Sequence, residues 1–142
     1  ITAFLGGLHY WWPKMTGKMF NEPIARICAV IFTIGYVGTF FPQLVMGLQG
    51  MPRRYFDYPP QYEVYHKAST MMAFMMGITL VIMLINFMLS LLSSKKAPEN
   101  PWGSKSLEWQ TATPPVHHNF EVEPEVTCDP YDYGRPLPGG HT

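Results

Sequence analysis

The chain has 142 residues, enough for one ordinary domain, with 47% apolar and 14% charged residues and a mean hydropathy near zero; such an average suits a soluble protein only if charge is spread evenly. It is not: no charge occurs from Ile27 to Val45 or from Ala68 to Leu92, stretches of 19 and 25 residues, while 7 of the 10 acidic residues lie after Leu92. The net charge of zero divides into +3 for residues 1–92 and −3 for residues 93–142, which argues against a basic surface for nucleic acid.

The chain opens on an apolar run, Ile1 to Trp12, of 12 residues. That is too short to span a bilayer, which takes about 20 residues. It lacks the basic segment and small-residue cleavage site of a signal peptide. With no initiator Met, it is expected to be the last turns of a helix begun upstream, so the chain reads as a C-terminal piece. The two charge-free stretches have spanning length and predict two transmembrane helices. In the first, Gly35, Gly38, Thr33 and Thr39 mix with apolar residues, and Pro42 near the outer end is expected to bend the helix because it removes one backbone hydrogen bond. Between the spans lie Arg53 and Arg54, directly after Gly50, Met51 and Pro52, surrounded by Tyr55, Phe56, Tyr58, Tyr62 and Tyr65, an aromatic set suited to a membrane interface.

In the second span Ser69, Ala73 and Gly77 recur every four residues and offer a neighbouring helix a close approach. The amide of Asn86 would lack partners in lipid and is expected to face a bundle. Six of the ten methionines fall between Met71 and Met88; Met71, Met72, Met75 and Met76 point to several sides of a helix and suit packing better than copper binding. After Lys96 come 8 of the 14 prolines, so an extended tail is expected, anchored by Trp102, Leu107 and Trp109. The stretch from Glu121 to Thr142 carries five acidic residues and is expected to be partly disordered without a partner.

Lys14, Lys18 and Arg26, with Lys95, Lys96 and Lys105, outnumber Arg53, Arg54 and Lys67 of the connecting loop. The bias places both ends of the hairpin on the cytoplasmic or matrix side. The chain thus divides into the end of a transmembrane helix with an inner-face turn (1–20), a transmembrane helix (21–50), an outer-face loop with the arginine pair (51–66), a second transmembrane helix (67–93) and an inner-face extended tail (94–142): an all-α membrane protein.

Catalytic and metal-binding constellations are not apparent. Cys28 and Cys128 lie in different environments and are not expected to pair. His117, His118 and Cys128 lack an obvious fourth ligand. His9 among aromatics reads as a packed residue, and His66 as an interfacial one needing no special role. Arg53 and Arg54 are the exception: a guanidinium pair beside a fixed proline backbone can clamp carboxylates or phosphates. Taken alone, it fits lipid headgroup contact or simple interfacial anchoring better.

Several motifs occur together in order: Gly6-Gly7-Leu8-His9-Tyr10-Trp11-Trp12-Pro13-Lys14-Met15-Thr16-Gly17, then Phe40-Phe41-Pro42, Gly47-Leu48-Gln49-Gly50-Met51-Pro52-Arg53-Arg54-Tyr55, Tyr58-Pro59, Asn100-Pro101-Trp102-Gly103, Leu107-Glu108-Trp109-Gln110, Pro114-Pro115 and Asn119-Phe120. From Ile1 to about Phe120 the chain resembles the C-terminal part of subunit I of the haem-copper oxidases. The resemblance implies part of a twelve-helix bundle, here the end of helix ten, helices eleven and twelve and the tail. The subunit would reduce oxygen to water and pump protons in a bacterial cytoplasmic or mitochondrial inner membrane. It also implies that Arg53 and Arg54 contact haem propionates. Two haems and copper would be held by the upstream part of the subunit, and His9 stands where the family usually has an aromatic residue. Implied partners are that upstream part, other oxidase subunits, the bilayer, and cytochrome c as electron donor. A quinol-fed oxidase and an accessory or assembly hairpin without haem contact are the alternatives.

Overall fold

The structure, a computed structural model, describes residues 1–120. Residues 121–142, with Cys128 and the acidic stretch, lie outside the described residues. Three helices form: α1 (Thr2–Thr16), α2 (Glu22–Leu48) and α3 (Glu63–Leu92), with short 3-10 turns at Pro60–Tyr62 and Leu107–Trp109. Among the described residues there is no strand, only an isolated bridge between Lys18 and Lys96. The described residues form two compact units, Asn21–Met88 and Ile1–Phe20 with residues from Leu89 onward.

The unit Asn21–Met88 is the helical hairpin. Helix α2 begins where Asn21 caps it, its side chain accepting from the Ile24 amide at 3.2 Å, with Pro23 in the first turn. These are strong start signals, since a capping oxygen satisfies an otherwise orphaned amide and proline is preset for the first turn. Helix α3 starts at Glu63, before the charge-free stretch at Ala68. Glu63 is acidic in the first turn and pairs with Lys67 one turn on, which suits the helix dipole and an i,i+4 pair. Both helices are long and apolar enough to cross a membrane, and only 28% of each most apolar window is buried. On α2 the exposed Ile27, Val30, Ile34, Val37, Phe41 and Leu44 follow one another at spacings of three and four. A soluble protein seldom leaves such a face uncovered. The chain is therefore a helical membrane protein.

Close approach of α2 to α3 is supplied by α2. A Cβ added at Gly38 would stand 2.7 Å from Met72 Cγ, and one at Gly35 would stand 3.2 Å from the Met72 carbonyl oxygen. Gly77, expected to serve as part of the small face on α3, meets nothing within 4 Å. Ser69 does contact α2: its hydroxyl donates to the Thr39 carbonyl at 2.8 Å and accepts from Gln43 Nε2 at 2.9 Å. Thr39 Oγ1 donates to the Gly35 carbonyl at 2.7 Å. The Ser69 and Thr39 hydroxyls thereby have partners, as a low-dielectric setting requires. At the other end Asn86 is buried and braces the start of α2, accepting from the Asn21 amide and donating to the Asn21 carbonyl, both at 3.0 Å.

In the other unit the tail packs on α1. Gly17 ends α1 in the left-handed conformation, φ 65°, which glycine adopts without a Cβ clash. Its carbonyl then accepts from the Ala97 amide at 2.9 Å. Trp109 is buried and meets Tyr10 edge-on at 5.2 Å, while Trp102 Nε1 donates to the Tyr10 carbonyl at 2.8 Å. Leu107, expected as a third anchor, is 39% exposed, because the 3-10 turn that buries Trp109 turns its neighbour outward. Lys14 is buried, and its ammonium donates to the carbonyls of Thr111 (2.7 Å) and Glu99 (3.3 Å) and to Thr113 Oγ1 (2.8 Å). It also lies 5.2 Å from the Trp109 ring centroid, within cation–π range.

Candidate functional site: the arginine cavity

The end of α2 is built to turn the chain sharply. Gln49 and Gly50 donate back to the carbonyls of Val45 and Gly47, and Gly50 sits at φ 88°. The Tyr62 hydroxyl, carried by the buried Tyr62 just before α3, ties the turn down by donating to the Gln49 carbonyl at 3.1 Å. Pro52 follows, and the chain then presents Arg53 and Arg54, both exposed. Arg54 has φ 56°, a left-handed backbone that costs a non-glycine residue about 1–2 kcal/mol. Such conformations persist where surrounding structure imposes them, and they cluster at ligand clamps.

The two arginines line a cavity of about 810 Å3 with Gln43, Met51, Tyr55 and His66. That is the size range of sites for drug-sized and cofactor-sized molecules. Neither guanidinium has an acceptor among the described residues. The nearest acid in sequence, Asp57, instead accepts from the Tyr58 amide at 2.8 Å, and the two ion pairs among the described residues, Glu22 with Arg26 and Glu63 with Lys67, lie on the helices. The cavity thus offers two exposed guanidiniums and no acidic residue in its lining. Guanidiniums in that state match carboxylates or phosphates through paired N–H donors.

His66, read from the sequence as an interfacial histidine needing no special role, also lines the cavity. Its ring is tilted against Tyr58 at 4.2 Å between centroids and Tyr55 at 5.4 Å. Its Nε2 is shut away from solvent and has no hydrogen-bond partner. No short motif could have found it, because it stands 12 residues after Arg54 and joins the cavity only through the hairpin turn.

Other candidates are not assembled into a site. His117 and His118 pack edge-on at 4.8 Å, and Cys128 lies outside the described residues. His9 Nδ1 donates to the Leu5 carbonyl, 2.7 Å away, and the ring meets Phe20 edge-on. Among the described residues no group of three or more His, Cys, Asp or Glu is placed to hold a metal ion. The two carboxylates of a haem fit the arginine cavity by charge, donor number and size.

A family profile described as Cytochrome C and Quinol oxidase polypeptide I matches residues 1–75. Cytochrome c oxidase subunit 1 of Synechocystis sp. is 42% identical over 132 residues, covering 93% of this chain and 24% of the relative. The subunit 1 of Thermostichus vulcanus is 43% identical over 134 residues, again 94% of this chain and 24% of the relative. Heme-copper oxidase subunit I+III of Aeropyrum pernix is 42% identical over 128 residues, or 89% of this chain and 16% of the relative. The chain spans about a quarter or less of the length of these relatives.

Proposed function

The chain belongs to the cytochrome c and quinol oxidase polypeptide I family, and from that membership we propose that its arginine cavity holds the propionates of a haem in a terminal oxidase. The whole subunit would reduce oxygen to water at a haem-copper centre and couple this to proton translocation. Its two haems and copper would be ligated outside this chain, and cytochrome c would be the donor, as in the names of the relatives. The hairpin ends would face the cytoplasm or matrix, and the twelve-helix bundle of the family would cover the apolar faces of α2 and α3. Other oxidase subunits complete the complex.

The observation that carries this reading is the pair of guanidiniums that have no acceptor among the described residues, on a backbone bent into the left-handed region at Arg54. Carboxylates near a membrane surface are costly unless fixed cations match them. Haem supplies a reversible one-electron couple when bound. Arg53 and Arg54 bind and orient its carboxylates, and their charge favours the reduced, more electron-rich form. An accessory hairpin with no haem contact would leave the guanidiniums to lipid headgroups or water. Redox titration of the assembled oxidase decides between them. Arg54→Met or Arg53→Met should lower a haem midpoint potential by on the order of 60 mV, a tenfold change in a one-electron equilibrium. Midpoints unchanged in both variants would rule the propionate role out.

A further inference from the structure

We propose that the end of α3 carries a site for an anionic phospholipid, in which Lys95 and Lys96 bind the phosphate and the exposed leucines before them lie against the acyl chains. The site is separate from the arginine cavity and does not depend on the propionate reading. The fold concentrates positive charge just past Leu92. The Gly17 carbonyl accepts from the Ala97 amide at 2.9 Å, and Lys18 and Lys96 face each other in the antiparallel bridge beside that bond. Side chains of a bridged pair come close on one face, and like charges set opposite one another repel. Lys18 is drawn aside, its ammonium donating to the Ser93 carbonyl at 2.7 Å, just past the C-terminal end of α3. Lys95 and Lys96 are both exposed. Among the described residues the ion pairs join Glu22 with Arg26 and Glu63 with Lys67, so neither lysine is paired with an acid, the nearby Glu99 included.

The chemistry of the occupant follows from what stands beside the charge. Leu92 is 84% exposed, and Leu89 and Leu91 are exposed as well, whereas Ser90 is buried and accepts from Trp12 Nε1 of α1 at 2.8 Å. At about 100° per residue the three leucines cover the rest of the helix circumference, so a neighbouring helix on one side leaves apolar surface on another. A free phosphate gains nothing from leucine. A phospholipid uses both features in the order the chain supplies them, hydrocarbon contact along the spanning helix and then cations where the helix emerges. A zwitterionic headgroup brings its own cation and offers the lysine pair no net charge, so the complementary headgroup is a net anion. The negative end of the α3 dipole opposes an anion here, and the Lys18 ammonium on the Ser93 carbonyl offsets it.

The test uses the assembled oxidase carrying this chain, in phosphatidylcholine vesicles with a trace of phosphatidylglycerol that bears a photoactivatable group in its acyl chain. Labelled peptides are mapped by mass spectrometry. Label is expected on the segment 88–94, displaced by unlabelled phosphatidylglycerol and not by inorganic phosphate. Each lysine at a membrane surface strengthens such binding about fivefold, so Lys95→Gln with Lys96→Gln should raise the displacing concentration about 25-fold. Lys95→Arg with Lys96→Arg, which keeps both charges, should leave it nearly unchanged, as should Lys105→Gln in the tail. If the double glutamine variant does not assemble, each single variant should show the fivefold effect. Equal label from a phosphatidylcholine probe, or displacement unmoved by loss of the lysines, overturns the proposal. So does displacement by inorganic phosphate, which would mark a free-anion site. Label that arises only after removal of residues 121–142, with their five acidic residues, would make that segment the occupant and overturns it equally.

Discussion

Replacing Lys14 with Met should release the tail from α1. The ammonium is buried and is shared between the Thr111 carbonyl at 2.7 Å, Thr113 Oγ1 at 2.8 Å and the Glu99 carbonyl at 3.3 Å. Methionine has similar length and no donor, so the packing stem survives while the charge-assisted bonds vanish. Hydrogen bonds to charged groups contribute about 1.5–3 kcal/mol each. Counting only the two short ones, and allowing that Thr113 Oγ1 keeps its own bond to the Glu99 carbonyl at 3.2 Å, the loss is about 3 kcal/mol. At about 1.4 kcal/mol per decade that is a rise of roughly a hundredfold in the opening of residues 99–113. Hydrogen exchange followed by mass spectrometry on the assembled complex reads it directly. Lys14→Arg, which keeps charge and donors, should lose less protection. Protection in Lys14→Met equal to the unsubstituted chain would refute the role of the ammonium as the clamp.

The hairpin makes two further predictions. Asn86→Leu removes both bonds to the Asn21 backbone and should cost about 2 kcal/mol, seen as a lower thermal midpoint of the complex; no change would mean those bonds exchange freely with other partners. Gly38→Ala drives a Cβ to 2.7 Å from Met72 Cγ and should cost about 1–3 kcal/mol. Adding Met72→Ala should recover much of that loss, and a double variant no better than the single one would show that the close approach lies elsewhere.

The spans are legible in the sequence because a bilayer demands length and absence of charge, and residues 27–45 and 68–92 meet both demands. Their ends are not legible by that criterion. Charges at Glu22, Arg26, Glu63 and Lys67 lie outside the charge-free stretches, yet as first-turn acids and i,i+4 pairs they belong to the helices. Lys14 illustrates a different failure. Counted as an inner-face cation, it is buried among carbonyls 85 to 98 residues away in sequence, and nothing local marks those acceptors. Trp102 and Trp109 stand out as tail anchors because large aromatics in a polar stretch need cover, whereas the exposure of Leu107 depends on the local turn. Arg53 and Arg54 are conspicuous as an adjacent pair beside a proline. His66 is not, since its place in the cavity depends on the hairpin register and its unsatisfied nitrogen on three-dimensional burial.

The most direct test of the arginine cavity is an electron cryo-microscopy map of the assembled oxidase at a resolution that separates side chains around Arg53 and Arg54. Haem carboxylate oxygens within about 2.7–3.0 Å of both guanidiniums are the predicted result. Guanidiniums facing lipid phosphate or solvent, with the haem carboxylates held by other residues, would contradict it.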